Sequence, residues 1–219
     1  MPAVRYRYQT IEFDDTDIHI KTLRDKQQFA DEDGVAASLG ISSATWPLFG
    51  VIWPSGEVLA RLMFRYEIEG KRILEVGCGI GLASLVLNHR LANITATDRH
   101  PEVARLLSEN TALNDDRQIP FIRTAWCNPC SVLGDFDLII ASDVLYEQRH
   151  AEQLAEFVDG HARLHCDVVV VDPGRRQQGR FRLQMIDRGY AYSETKLSDS
   201  DELTQPFSGR ILHFHKQEA

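Results

Sequence analysis

The chain has 219 residues, a formal net charge of -8 and a hydrophobic content of 43%. This length suits one large domain with enough core for a sheet covered on both faces. The acidic balance argues against stable nucleic-acid binding, which needs a basic face to neutralise phosphates. No apolar run approaches the roughly 20 residues of a membrane span, and the N-terminus lacks the apolar segment of a signal peptide. We therefore expect a cytoplasmic monomer with no membrane association.

The N-terminal segment alternates polar and apolar side chains. Residues 4–10 and 18–21 both alternate, and an acidic stretch lies between them, so we predict a β-hairpin arm. We divide the chain into this arm, residues 1–45, and a main domain, residues 46–219.

An aromatic segment follows the arm. Residues 45–56 read TWPLFGVIWPSG, and Pro54 suits the first turn of a helix whose apolar stripe begins at Val58. Trp53 either packs as core cover or helps to close a ligand pocket, and the sequence leaves both possibilities open.

The strongest signal lies in residues 72–87, RILEVGCGIGLASLVL. The short apolar run at its start predicts a buried strand, the glycines a tight loop, and Leu82 the start of a helix. Glycine is needed because a side chain would hold the backbone away from a ligand lying across the loop. Asp98 ends the next apolar stretch, where an acid accepts hydrogen bonds from a ribose. These features predict a nucleoside-binding βαβ unit.

Two departures from the dinucleotide fingerprint indicate which nucleoside binds. Counted from Gly77, the third glycine of G-x-G-x-x-G arrives one position early, at Gly81. Glu75 lies two residues before Gly77, where its carboxylate would repel a pyrophosphate at the helix N-terminus. A cationic cofactor would not be repelled, so an NAD-dependent oxidoreductase is disfavoured.

Strands and helices alternate through the rest of the chain. Apolar patterns predict further strands at residues 121–124, 136–141, 168–171, 190–192 and 210–214, with a helix from Pro101 and others near residues 151–158 and 181–186. This alternation predicts an α/β fold with a doubly wound, mostly parallel sheet. Ligands bind such sheets at the carboxyl ends of the strands. Gly77, Asp98, Trp126, Asp143 and Asp172 all fall there.

Several motifs together resemble one family. LEVGCGIGL matches motif I, ATDRHPEV the following acid segment and ASDVLYE the D-x-x-Y signature of the "family 16" class I S-adenosylmethionine (SAM)-dependent methyltransferases. Trp126 also stands where this family has a tryptophan. The resemblance covers about residues 46–147. WPLFGVIWPSGEVLA looks closest to the branch that methylates the electron-transfer flavoprotein β-subunit. The family resemblance implies a Rossmann-like, seven-stranded, mostly parallel sheet with one antiparallel strand, and residues 46–219 as the methyltransferase domain.

The resemblance also implies the site. SAM is the expected cofactor and S-adenosylhomocysteine the product, and the predicted cofactor-binding residues are Trp53, Glu75, Gly77, Cys78, Gly79, Gly81, Asp98, Arg99, Trp126 and Ala141. Asp143 and Tyr146 are the predicted catalytic residues, facing the acceptor amine. From the residues alone, Asp143 could instead cap a helix, and Tyr146 could be plain packing. No metal is expected, because Cys127 and Cys130 form a lone CxxC without a second ligand pair.

We predict methyl transfer to a lysine side chain of a protein substrate, because the characterised family members mostly do this. A small-molecule amine acceptor remains an alternative, as does a non-catalytic SAM-binding module. A basic cluster, Arg175, Arg176, Arg180 and Arg182, is either a solvated helix face or a dock for an acidic substrate surface.

Overall fold

The computed structural model describes residues 4–24, 31, 33–127, 130–197 and 203–216. The strands are β1 (Tyr6–Phe13), β2 (Thr16–Leu23), β3 (Arg72–Val76), β4 (Asn93–Asp98), β5 (Phe121–Arg123), β6 (Phe136–Ser142), β7 (Ala162–Asp172), β8 (Tyr190–Leu197) and β9 (Gly209–Lys216). The α-helices are α1 (Val35–Ser38), α2 (Pro54–Arg65), α3 (Leu82–His89), α4 (Val103–Leu113), α5 (His150–His161) and α6 (Gln178–Asp187). A 3-10 helix covers Trp46–Gly50.

Seven strands form one sheet in the order β5-β4-β3-β6-β7-β9-β8. Within the described part of the chain, β9 alone runs against the others, pairing antiparallel with both β7 and β8. The predicted seven-stranded, mostly parallel sheet with one antiparallel strand is therefore confirmed. The chain runs outward from β3 to β5 and then returns to β6 on the other side of β3. This reversal opens a crevice at the carboxyl ends of β3 and β6.

The sheet is covered on both faces, which explains the apolar central strands. On β3, Ile73 packs in a core cluster with Leu59 of α2 and Leu85 of α3. The neighbouring Leu74 points to the other face, in a cluster with Leu154 of α5 and Phe181 of α6. All of these side chains are fully buried. The doubly wound arrangement is confirmed.

The predicted N-terminal hairpin is present as a separate two-stranded sheet, β1 paired antiparallel with β2. Its inward side chains, including Phe13 and Ile18, are buried in the same core cluster as α2. On its outer edge, the Asn110 side chain of α4 accepts the Lys21 N–H and donates to the Lys21 carbonyl. The hairpin is thus hydrogen-bonded to α4, one of the helices that pack on the main sheet. The domain boundary between residues 45 and 46 stays a prediction.

Some element bounds differ from the sequence prediction. The helix expected from Pro101 begins at Val103, and residues 101–102 form a turn in which the Val103 N–H donates to the His100 carbonyl. The aromatic segment, for which no element was predicted before Pro54, contains the 3-10 helix Trp46–Gly50. Across the residues that the structure describes, no helix is long and apolar enough to cross a membrane.

Candidate active site

The glycine loop after β3 leaves no free space for a side chain at its three glycine positions. Gly77, Gly79 and Gly81 have φ angles of 65°, 51° and 73°, the left-handed region that favours glycine. A Cβ at Gly79 would lie 3.3 Å from the Phe49 carbonyl oxygen. At Gly81 it would lie 2.6 Å from Leu107 Cδ1 of α4. The loop is therefore a backbone cradle packed between the 3-10 helix and α4.

Asp98 lies directly beside this cradle. Its Oδ2 accepts the Gly79 N–H at 2.9 Å, and its Oδ1 accepts the His100 N–H at 2.8 Å. The Cys78 N–H donates to the Thr97 carbonyl at 2.9 Å, so the loop is tied to the end of β4 in two places. Cys78 itself is buried, and burial raises the pKa of its thiol well above the ordinary value.

Glu75 is buried under the cradle and bonded to helix α3. Its Oε2 accepts the Ser84 N–H at 2.9 Å and also accepts the Ser84 hydroxyl hydrogen. Burial raises the pKa of Glu75 to about 7, and the two hydrogen bonds from Ser84 oppose that rise. In the structure this carboxylate satisfies a donor in the first turn of α3. Its predicted contact with a cationic cofactor stays a prediction.

A row of rings runs from the cradle to the end of β6. A Cβ at Gly77 would lie 3.5 Å from Trp126 Cζ2, so this indole borders the loop. The His150 ring meets Trp126 edge-on with the centroids 4.9 Å apart, and it meets Tyr146 edge-on at 4.6 Å. His150 Nδ1 lies 2.9 Å from the Val144 carbonyl oxygen, which assigns the proton to Nδ1. Burial lowers the pKa of His150 and favours its neutral form.

Asp143 follows β6 in a left-handed conformation, with φ at 52°, which is uncommon for a residue other than glycine. Its N–H donates to the Val171 carbonyl at 2.9 Å. Its carboxylate binds the Arg175 guanidinium through both oxygens, at 2.6 Å to Nε and 2.9 Å to Nη2. Because α5 begins only at His150, the alternative that Asp143 caps a helix is wrong.

Arg99 and Tyr146 complete the rim of the crevice. Arg99 Nη2 lies 3.3 Å from Glu147 Oε1, an ion pair between the segments that follow β4 and β6. Burial raises the pKa of Tyr146, and the nearby positive charge of Arg99 opposes that rise. Tyr146 remains 44% exposed, so its ring is open to a second molecule. The ring also meets His150 edge-on, and its role toward the acceptor stays a prediction.

The family model described as lysine methyltransferase matches residues 43–188.

The chain belongs to the lysine methyltransferase family.

Two curated relatives show how far the likeness extends. The electron transfer flavoprotein beta subunit lysine methyltransferase of Danio rerio is 29% identical over 135 residues, which cover 60% of this chain and 52% of that protein. Protein N-lysine methyltransferase METTL21A of Danio rerio is 30% identical over 114 residues, which cover 48% of this chain and 52% of that protein. The chain thus matches about half the length of these relatives.

A solved structure shows the shared fold. Magnesium protoporphyrin IX methyltransferase (ChlM) from Synechocystis PCC 6803, with bound SAM, superposes with a TM-score of 0.58 at 18% identity. The match covers 74% of this chain and 77% of that chain. The crevice of this lysine methyltransferase family member therefore lies in a methyltransferase fold.

The remaining predicted site residues lie at the same edge of the sheet. Trp53 precedes the first turn of α2, half-buried, and its indole N–H donates to the Leu48 carbonyl at 3.0 Å. A Cβ at Gly56 would lie 3.6 Å from Ser142 Oγ, so the start of α2 lies over the end of β6. Ala141 is buried within β6, one residue before that point. Trp53 packs against the hydrophobic core cluster as a partly buried residue. Its predicted contact with a cofactor stays a prediction.

Sequence reasoning missed two features of this site. His150 was not singled out, and it contacts the rings of both Trp126 and Tyr146. Arg175 was noted only within the basic cluster, whereas it binds Asp143, and Arg176 and Arg180 are exposed. Among the described residues, no group of three or more His, Cys, Asp and Glu could hold a metal ion.

Proposed function

We propose that this protein transfers a methyl group from SAM to a lysine side-chain amine of a protein substrate. The observation that carries the proposal is the placement of Asp143 and Tyr146 at the end of β6, next to the glycine cradle at the end of β3. Membership of the lysine methyltransferase family and the named activities of the two relatives support the same acceptor.

The residues around the cradle fit such a cofactor. The left-handed glycines leave their backbone bare where a side chain would collide, and Asp98 stands at the edge of the cradle to accept hydrogen bonds from ribose hydroxyls. Each carboxylate oxygen has two lone pairs, so Asp98 keeps capacity beyond the two backbone donors that it already binds. Trp126 would cover the loop from the β5 side. When bound, SAM supplies an electrophilic methyl group on a sulfonium.

The acceptor must arrive as a neutral amine, because a free lysine side chain has a pKa of about 10.4 and is charged at pH 7. Asp143 would accept a hydrogen bond from the amine and so aim its lone pair across the crevice. Tyr146 would lie along the aliphatic part of the lysine with its exposed ring. Catalysis then consists of aligning the amine and excluding water, as expected for an in-line displacement.

The test is transfer of label from radioactive SAM into a lysate of the source organism. We expect wild type to label a protein, and Asp143→Asn to label it about a hundredfold more slowly, because a misaligned acceptor loses about that factor. Asn tolerates the left-handed conformation of residue 143, so the backbone is preserved. The matched control is Asp135→Asn, an exposed aspartate at the opposite end of β6, which should label normally.

Three results would contradict the proposal. Label found only in the small-molecule fraction would replace the protein acceptor by a metabolite amine. SAM binding without transfer to any acceptor would favour a non-catalytic binding module. Acid hydrolysis of the labelled protein should yield methyl-lysine, and label on another amino acid would refute the lysine assignment.

A further inference from the structure

The carboxylate that the proposed function gives to the acceptor amine is already bound to a cation. Arg175 holds Asp143 through two short hydrogen bonds, 2.6 and 2.9 Å, and the Asp143 side chain is only 11% exposed. A bidentate pair of this kind has a defined orientation and is stronger than a single contact. The mechanism derived above gives this pair no role.

Both partners of the pair are held by backbone fixed to the end of β7. Asp172 is fully buried, and its Oδ1 accepts the N–H groups of Gly174 and Arg175 at 2.8 and 2.7 Å. These bonds fix the turn that carries Arg175. On the other side, the Asp143 N–H is bonded to the Val171 carbonyl of the same strand. Backbone hydrogen bonds therefore fix the positions of both residues of the pair, whereas a pair of mobile surface side chains lacks such support.

An unpaired carboxylate would oppose the reaction. A negative charge within about 4–6 Å of an amine favours the ammonium form, which has no lone pair to attack with. The ion pair as a whole carries almost no net charge, so it favours the ammonium much less than an unpaired carboxylate does. It still accepts hydrogen bonds, because a bidentate arginine uses only two of its roughly four lone-pair sites. The pair can therefore orient a neutral amine without protonating it.

We propose that Arg175 is a positioning residue that cancels the charge of Asp143, so that the acceptor lysine binds there as a free amine. This inference rests on the proposed function. Two other titratable groups interact with the pair: Asp172 of β7 with both partners, and Tyr146 with Arg175. Around Tyr146 in turn lie Arg99 from the end of β4, Glu147, and His150 at the start of α5. Arg99 is paired with Glu147, so its charge is not available to replace that of Arg175.

The test is the pH dependence of kcat for Arg175→Gln, with saturating SAM and, as substrate, the purified lysate protein that wild type labels. We expect the acidic limb of the profile, which reports loss of the amine proton, to move up by about one to three pH units. On the acidic limb, kcat falls about tenfold for each pH unit below the apparent pKa. SAM affinity should stay near wild type, whereas thermal stability should fall, because Asp143 loses its bidentate partner while only 11% exposed. Arg175→Lys keeps the charge and should keep the limb in place, while Arg176→Gln, at the exposed neighbour, should leave the profile unchanged.

Three results would overturn the inference. An unshifted limb with only KM raised would make Arg175 a substrate-docking residue. A higher kcat for Arg175→Gln at neutral pH would make it a cation that blocks the site. A limb that moves equally in Arg175→Lys would show that local structure, not charge, is responsible. If wild type itself labels no protein, the proposed function fails first, and that outcome is distinct from a wild-type profile that the variant fails to shift.

Discussion

The buried carboxyl of Glu75 makes the stability of the protein depend on pH in a way that one substitution should remove. Burial raises its pKa from an ordinary 4.5 to about 7 in the folded state. Between these values the folded chain binds the proton more tightly than the unfolded chain does. The free energy of unfolding therefore has its full value below about pH 4.5, and part of it is lost as the pH rises toward 7. At about 1.4 kcal/mol per pH unit, the loss is about 3 kcal/mol.

The assay is urea unfolding of wild type and Glu75→Gln at pH values from 4.5 to 8.5, without cofactor. Gln keeps the shape and an oxygen that can accept from Ser84, but it cannot ionise. We expect the free energy of unfolding of Glu75→Gln, relative to wild type, to rise by about 3 kcal/mol across this range. The exposed control Glu69→Gln should show no such trend. A difference between wild type and Glu75→Gln that is constant with pH would refute the reasoning.

Three further predictions concern the cradle and the hairpin. Gly81→Ala places a Cβ 2.6 Å from Leu107 Cδ1 at a φ of 73°, so it should lower the free energy of unfolding by about 1–3 kcal/mol, measured by urea titration. Trp126→Ala should weaken SAM binding about tenfold in calorimetry, because the indole borders the loop at Gly77, and an unchanged Kd would make Trp126 a packing residue. Phe13→Ala should cost about 3–5 kcal/mol in one cooperative transition, since Phe13 is buried in the common core; loss of the hairpin alone would contradict this.

Local features of the site could be predicted from the sequence because local physics controls them. Glycines at 77, 79 and 81 are required by the backbone itself, and their left-handed φ angles agree with that. The apolar runs of β3 and β6 predict strands buried on both faces, and alternation with helices predicts the doubly wound sheet. The acid at the end of β4 was placed correctly beside the loop for the same reason, since parallel strands end at one edge.

Other features depended on contacts between distant parts of the chain. The spacing of Glu75 predicts an acid near the loop, but not that its carboxylate bonds Ser84 of α3. Likewise, His150 stands between Trp126 and Tyr146 only because the segments after β5 and β6 meet.

The sequence by itself therefore determined the doubly wound fold, the glycine cradle and the acids at the strand ends (Asp98, Asp143 and Asp172), because short-range backbone and periodicity rules control those features. Only the tertiary structure decided that Arg175 pairs with Asp143. The two residues are 32 positions apart, and they meet because β6 lies beside β7 with Ser142 opposite Val171. Strand order and register are set by packing of the whole sheet, so no local pattern in the sequence encodes that contact.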